Sequence, residues 1–512
     1  MMHRRSFLAA LGAAPVFAQT QLFWTVETTS GKVQGIANTG IKEFKGIPYG
    51  APTGGKNRYL PPQKPASWSG VRECFGHGQI SPQTLANLNS DYGMMIQWDL
   101  HTGGMGEDCL SLNVWTPGVN DGAKRPVMVS FHGGGFATGS GNGAGYDGAQ
   151  LAKFGDVVVV TVNHRLASFG YLHLADLGAP PEFAHAGVAG MMDLVASLEW
   201  VRDNIEKFGG DPQKVMIFGQ SGGGAKTSTM LAMPSAKGLF HSAGVQSGST
   251  IRSATREAGT KSAEALLAKL GVAKNNIASI QKLPWQQILE AQASLSFTPV
   301  VDGTVLPHHP FDPTAPPESA GVPVVISTTL EDAALALTNF DLTEDGLKKM
   351  MTDRYAEKAE PMLKLYRNRY PAKSPYLIQA QIGTDAGGRR NAILQAERKS
   401  AQGKSPAYMY EWDYESPGFG GKFGAVHGTD VSASFYNFRD GIGGTGSPRE
   451  KALWQRFASC WVSLARTGNP NWPAYDSDKR ATMLFNTESR VENDPRSEIR
   501  SFWQEMPSAR RG

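Results

Sequence analysis

The pentapeptide Gly219-Gln220-Ser221-Gly222-Gly223 has the pattern G-x-S-x-G, in which a serine is held exposed in a sharp turn between a strand and a helix. Glycines flank such a serine because side chains there would clash in the tight bend. The pattern occurs easily by chance in a chain with 59 glycines, so its context decides. The apolar run Lys214–Phe218 precedes it and a stretch typical of a helix follows it, which favours Ser221 as a nucleophile.

A second glycine-rich turn, His132-Gly133-Gly134-Gly135, follows an apolar run that ends at Phe131. Glycines let the backbone come close to a substrate, and such loops aim backbone N–H groups at the oxygen that gains negative charge in acyl transfer. We interpret His132 itself as a packed structural histidine rather than a base. The loop therefore indicates a site that stabilises an oxyanion.

A serine nucleophile of this kind needs an acid and a base, which follow it in the order Ser, acid, His. His427 is the only histidine after the apolar run Pro323–Ser327, and it lies in the glycine-bearing loop Gly424–Asp430. Glu331 and Asp332 stand just beyond that run, where a parallel sheet delivers side chains to its carboxyl edge. The residues thus predict His427 as the base and leave both carboxylates open as the acid.

Strands that are buried on both faces are needed to bring these residues together. The runs Pro126–Phe131 and Val157–Val162 are apolar apart from Ser130 and Thr161, as expected in a parallel sheet. Apolar residues recur at helical spacing between Val188 and Phe208. Because strand and helix alternate along the chain, the sequence predicts an α/β fold with a mostly parallel central sheet.

Two further features complete the predicted organisation. The chain is mostly helical and more charged over Ala254–Ala293 and Thr343–Gln402, which predicts helical insertions. Alternating residues over Phe23–Ile36 predict an N-terminal antiparallel hairpin. We predict one large domain over residues 19–512.

The N-terminal segment Met1–Ala18 has a positive start, a short apolar stretch and a small residue at its end, as in a cleaved export signal. Arg4-Arg5 followed by Phe7 and Leu8 favours a twin-arginine signal, and a general secretory signal is the alternative. We therefore expect a periplasmic or extracellular protein. No later apolar stretch approaches the roughly 18 residues of a membrane span.

Composition excludes several classes of protein. With 40% hydrophobic and 19% charged residues, the chain is too apolar for intrinsic disorder. Its formal net charge of +4 is too small to indicate nucleic acid or anionic lipid as a primary partner. Export permits disulfides, and with three cysteines at least one stays unpaired. Either Cys74 forms a disulfide with Cys109, or Cys74, Cys109 and Cys460 are three separate thiols. None of the three has a metal-ligand spacing, so no zinc site is expected.

The sequence resembles the type-B carboxylesterases, a family that includes cholinesterases and many bacterial esterases. The resemblance extends over nearly all of the chain after the signal, and it rests on the motifs above together with Glu107–Val114, Asn163–Leu166, Phe208–Pro212, Gln246–Ser249 and Pro299–Gly303. It implies an α/β-hydrolase fold. It also implies hydrolysis of small-molecule carboxylic esters through an acyl-serine, without a metal or cofactor.

The resemblance also assigns roles to single residues. Ser221 matches the nucleophile and His427 the general base. The N–H groups of Gly134, Gly135 and Gly222 match the oxyanion hole.

Some positions depart from the family pattern. The acid of the family is a glutamate, whereas Asp332 stands at the matching position and is one methylene shorter, so either its loop moves toward the base or Glu331 substitutes; we favour Asp332. Ser247 resembles a family serine that supports the acid. Gln220 replaces the usual glutamate and weakens the case for cationic, choline-like substrates. Ser81 replaces the usual partner of the Cys109 position, which puts that disulfide in doubt.

Other functions fit the same residues. An amidase or a lactonase would use the same nucleophile, acid and base. A non-catalytic binding protein on this fold is disfavoured because Ser221 and His427 are both present. The sequence specifies neither the acyl and alcohol groups nor the oligomeric state. Four aromatic residues either line an apolar gorge or pack in the core and loops: Trp98, Phe136, Phe297 and Phe423.

Overall fold

The computed structural model describes residues 21–506 apart from 86–89, 97–101, 439 and 445. Both the predicted export signal, Met1–Ala18, and Trp98 lie outside these described residues. Within them, a single sheet of thirteen strands forms the centre of the molecule.

The strands are β1 (Phe23–Thr28), β2 (Gly31–Asn38), β3 (Ile41–Pro48), β4 (Val71–Glu73), β5 (Ser111–Thr116), β6 (Arg125–Phe131), β7 (Val158–Val162), β8 (Gly210–Gln220), β9 (Ser242–Gln246), β10 (Val324–Thr329), β11 (Ala407–Trp412), β12 (Ala481–Phe485) and β13 (Arg490–Asn493).

The α-helices are α1 (Asp91–Ile96), α2 (Ala149–Gly155), α3 (Ala167–Tyr171), α4 (Ala189–Asn204), α5 (Gly222–Met230), α6 (Arg256–Leu270), α7 (Trp285–Ala291), α8 (Glu344–Tyr355), α9 (Ala359–Arg369), α10 (Pro375–Thr384), α11 (Arg390–Gln402), α12 (Val431–Ser434), α13 (Asp440–Gly443), α14 (Pro448–Thr467) and α15 (Ser497–Glu505). Among the described residues, no helix is long and apolar enough to cross a bilayer.

The order of the strands in the sheet is β1-β2-β3-β5-β7-β6-β8-β9-β10-β11-β12-β13, and β4 pairs with β2. Neighbouring strands from β7 to β12 are all parallel. The strands from β1 to β7 in this order pair antiparallel, beginning with the predicted hairpin, in which Phe23 of β1 pairs with Ile36 of β2, whereas β4 pairs parallel with β2. The predicted α/β fold with a mostly parallel sheet and an N-terminal hairpin is confirmed.

Strand β7 shows why the central strands are mostly apolar. Val158, Val160 and Val162 belong to the hydrophobic core on one side of the sheet, and Val157 and Val159 belong to the core on the other side. Successive side chains of a strand point to opposite faces, so a strand covered on both sides needs apolar residues at every position. Helix α4 contributes to the first core and helix α14 to the second.

The predicted helical insertions lie between the last parallel strands. Helices α6 and α7 separate β9 from β10, and helices α8 to α11 separate β10 from β11. Residues of α8 and α9 pack with α15 in a small core of their own, which includes Leu347, Met362, Tyr366, Ile499 and Trp503.

The three cysteines are buried and free. The disulfide between Cys74 and Cys109, one of the two alternatives drawn from the sequence, is not formed. Burial raises the pKa of both thiols to about 12, so both stay protonated near neutral pH.

A buried ion pair ties the end of β7 to helix α4. The Arg165 guanidinium donates to both carboxylate oxygens of Asp193, at 2.8 and 2.6 Å, and the backbone N–H of Arg165 donates to Asp193 at 3.1 Å. Both side chains are almost fully inaccessible to solvent. Each charge therefore depends on the other for compensation.

We expect Asp193→Asn to lower the free energy of unfolding by about 3 kcal/mol or more, because it leaves the buried Arg165 charge uncompensated. Guanidinium denaturation of the purified protein measures the change. The control is Asp353→Asn, which removes an ion pair with Lys349 on the solvent-exposed surface of α8 and should leave the midpoint unchanged. Equal effects of the two substitutions would contradict the expectation.

Candidate active site

The sharp turn between β8 and α5 holds Ser221 in a strained conformation. Its φ of 59° and ψ of −122° are rarely adopted by residues other than glycine. A Cβ atom on Gly219 would lie 2.4 Å from the carbonyl oxygen of Phe131 in the neighbouring strand β6, and one on Gly223 would lie 2.0 Å from the same oxygen. The motif therefore needs both glycines because the turn packs directly against β6.

The loop after β6 meets this turn backbone to backbone. A Cβ atom on Gly222 would lie 2.4 Å from the nitrogen of Gly135, and both Gly134 and Gly135 have positive φ values, 82° and 62°. Among the described residues, none accepts a hydrogen bond from the N–H of Gly134, Gly135 or Gly222. The structure thus brings the three predicted oxyanion-hole residues together with their donors available.

Of the two candidate carboxylates, Asp332 contacts the imidazole. His427 Nδ1 and Asp332 Oδ1 are 2.5 Å apart, and both residues are buried. Burial acts to lower the pKa of His427, but the charge and hydrogen bond of Asp332 outweigh it, with a smaller contribution from Asp430, so that the pKa is raised. The raised pKa means that this site stabilises the protonated ring.

Glu331 instead anchors the loop that carries His427. Its carboxylate pairs with Lys373 and accepts hydrogen bonds from the Gln381 side chain at 2.7 Å and from the N–H of Ala425 at 2.8 Å. The backbone N–H of Glu331 also donates to the carbonyl of Ala425 at 3.1 Å. These contacts account for the Glu331 carboxylate without the imidazole.

Ser247, which the resemblance predicts to support the acid, makes no hydrogen bond to Asp332. The Ser247 hydroxyl is buried and forms no hydrogen bond with any described residue. Thr329 takes that place, because its hydroxyl donates to Asp332 Oδ1 at 3.0 Å. Thr329 ends β10 three residues before Asp332, and a hydroxyl at that spacing was the signal in the sequence that could have identified it.

Gln246, the first residue of the motif Gln246–Ser249, joins the two halves of the site. Its carbonyl accepts the N–H of Ser221 at 2.8 Å, and its side-chain amide donates to Asp430 at 3.0 Å, three residues after His427. Tyr410 also donates to Asp430, at 2.7 Å. The Ser221 hydroxyl itself forms no hydrogen bond with a described residue; such contacts are often long in a free enzyme and shorten when substrate binds.

The aromatic residues considered for an apolar gorge differ in their surroundings. Phe136 follows the oxyanion loop and is partly buried, with its ring against Tyr171. Phe297 and Phe423 are buried in separate cores. The described residues contain no cluster of three or more His, Cys, Asp or Glu side chains suited to a metal ion.

Comparisons with known proteins identify the family of the chain. The model of the carboxylesterase family matches residues 24–503. The chain belongs to the carboxylesterase family. This is the family of carboxylic ester hydrolases that the sequence resembled.

Individual members of the carboxylesterase family resemble the chain over most of its length. A para-nitrobenzyl esterase of Bacillus subtilis is 33% identical over 93% of this chain and 97% of its own. A crystal structure of a carboxylesterase from Geobacillus stearothermophilus, 34% identical, superposes with a TM-score of 0.80 over 94% of this chain and 100% of its own. An esterase from Clostridium hathewayi that can hydrolyse aliphatic aromatic polyesters has a TM-score of 0.80 at 29% identity, over 94% and 98% of the two chains.

We expect Asp332→Asn to lower the pKa of His427, because burial then acts with less opposition. NMR titration of protein labelled at histidine measures this, with His427→Gln to assign the resonance among the 11 histidines. Glu331→Gln is the matched control, since it changes the neighbouring carboxylate without touching the ring, and should leave the pKa in place. The same downward shift in both variants would contradict the expectation.

Proposed function

We propose that the protein hydrolyses carboxylic esters through a covalent acyl-serine at Ser221. The observation that carries the proposal is the buried contact between His427 Nδ1 and Asp332 Oδ1, 2.5 Å long, on a loop joined through Gln246 to the Ser221 turn. A base oriented by a carboxylate near an exposed serine activates the hydroxyl for attack on a carbonyl carbon.

In the first step, Ser221 Oγ attacks the ester carbonyl while His427 Nε2 takes the hydroxyl proton. Asp332 accepts the bond from Nδ1–H, which fixes the tautomer and stabilises the imidazolium. The raised pKa of His427, in which the effect of Asp332 exceeds that of burial, supports this role.

The carbonyl oxygen gains a negative charge in this step. It receives hydrogen bonds from the N–H groups of Gly134, Gly135 and Gly222, whose lack of partners among the described residues supports the assignment. Loss of one such donor typically costs roughly 3 to 4 kcal/mol of transition-state stabilisation.

The imidazolium then donates its proton to the departing alkoxide, so that the alcohol leaves and the acyl group stays on Ser221 Oγ. A water molecule repeats the attack, with His427 as base, and releases the acid. The net reaction adds one water to the ester and returns both residues to their starting protonation states.

We propose uncharged esters as substrates. The side chain before the nucleophile is Gln220, a neutral amide that is 2% exposed, so no carboxylate at this position attracts a cationic alcohol. Phe136 and Tyr171 provide apolar surface next to the oxyanion loop. The para-nitrobenzyl ester specificity named for the Bacillus subtilis relative makes nitrophenyl and nitrobenzyl esters the first substrates to try.

We expect a fluorophosphonate to label the purified protein stoichiometrically at Ser221, because only an activated serine reacts with it. Peptide mass spectrometry locates the adduct. Ser221→Ala should abolish labelling and turnover, and His427→Ala should abolish turnover, with folding of each variant checked by circular dichroism. A folded wild-type protein that takes no label would overturn the proposal and favour a binding protein.

We also propose that the protein is exported after cleavage behind Ala18, through the twin-arginine route. Expression in a Gram-negative host should yield a periplasmic protein whose mass is that of the chain beginning at residue 19. Replacing Arg4 and Arg5 together with Lys should retain the precursor in the cytoplasm, because that route requires the arginine pair. Continued export of the double variant would identify the general secretory route instead.

A further inference from the structure

Lys226 lies in α5, five residues after Ser221, and takes no part in the proposed chemistry. Its side chain is fully buried, and its ammonium donates to the carbonyl oxygen of His132 at 2.9 Å. The nitrogen also lies 5.8 Å from the centre of the Phe136 ring. Lys226 therefore connects the helix behind the nucleophile to both ends of the His132–Phe136 loop, which carries the oxyanion donors.

The contacted peptide group leads directly into the oxyanion hole. Its carbonyl, from His132, accepts from Lys226, and its N–H, from Gly133, donates to the Tyr146 hydroxyl at 3.0 Å. The next carbonyl, from Gly133, accepts from His132 Nδ1 at 2.9 Å. The His132–Gly133 peptide is thus held by the side chains of Lys226 and Tyr146, which belong to two other parts of the chain.

Lys226 has no carboxylate partner in the part of the chain that the structure describes. Its charge acts on the ring of His164, which packs against the ring of His132. A buried ammonium without a carboxylate is costly, and an apolar side chain would fill the same space at lower cost. Packing therefore does not explain a lysine at this position.

We propose that Lys226 is a positioning residue of the oxyanion hole, which fixes the His132–Gly133 peptide and thereby the donors of Gly134 and Gly135. The inference rests on the proposed acyl-serine function. In the charged form, Lys226 also places a positive charge behind the loop that faces the developing oxyanion.

The protonation state of Lys226 changes in the working range of such an enzyme. Burial lowers the pKa of Lys226 to about 7. Below that pH the side chain is an ammonium and a strong donor, and above it a neutral amine and a weaker one. The contribution of Lys226 to turnover should therefore be largest below about pH 7 and smaller above it.

The test compares Lys226→Met, Lys226→Gln and wild-type protein on p-nitrophenyl butyrate between pH 5.5 and 9. We expect Lys226→Met to lower kcat by about 10- to 100-fold with little change in KM, because misplaced donors affect the transition state rather than substrate binding. Affinity for a trifluoromethyl ketone, which forms an oxyanion on the serine, should fall by a similar factor. The kcat of Lys226→Gln should lie between those of Lys226→Met and the wild-type protein, since glutamine donates a hydrogen bond but carries no charge.

The ratio of wild-type to Lys226→Met kcat should decline as the pH rises through about 7. Lys399→Met is the matched control. Lys399 is also a buried lysine that donates to backbone carbonyls, those of Ser319 and Ala320, but it lies in α11 away from the site, so its removal should leave kcat unchanged.

A ratio that stays constant with pH would overturn the proposal. So would a kcat within twofold of wild type in Lys226→Met, or a loss that appears in KM alone. If Lys226→Met does not fold, the same criteria apply to Lys226→Gln. A wild-type protein that neither turns over esters nor takes the fluorophosphonate label would instead overturn the proposed function, so the two failures are distinguishable.

Discussion

The close packing of two glycine-rich turns at the carboxyl edge of the sheet is the constraint on which the site depends. Strands β6 and β8 are neighbours, so the turn after β8 must pass within contact distance of Phe131 at the end of β6. Only glycine at positions 219 and 223 permits that approach, and only glycine at 222 lets the backbone rest against Gly135. The strain at Ser221 is therefore maintained by surrounding backbone rather than by its own side chain.

The loop that carries His427 lies outside the strands of the sheet and is held by one short backbone bridge to Glu331 together with side-chain contacts. Glu331 binds its beginning through the N–H of Ala425, and Gln246 binds its end through Asp430. Between these two anchors, Asp332 accepts a hydrogen bond from the imidazole of His427. Three acidic side chains thus position His427, and only one of them, Asp332, contacts the imidazole.

The sequence predicted those features that depend on local pattern and chain order. Apolar runs identified β6, β7, β8 and β10, and the order of motifs selected His427 from the 11 histidines. The features that it did not predict depend on which side chains meet in space. The choice between Glu331 and Asp332, the absence of a Ser247 contact and the part played by Thr329 follow from the direction of adjacent side chains after β10, which spacing alone does not specify.

The distribution of buried charge matches the polarity of the proposed reaction. Asp332 and Asp430 lie on the side of the base and raise the pKa of His427 against the effect of burial. Lys226 lies on the other side, behind the oxyanion loop, with no carboxylate paired to it among the described residues. Attack on an ester creates an imidazolium and an oxyanion together, so negative charge behind the first and positive charge behind the second stabilise the same transition state. Gln220, beside the nucleophile, is neutral. The position next to the nucleophile therefore adds no buried charge to this arrangement.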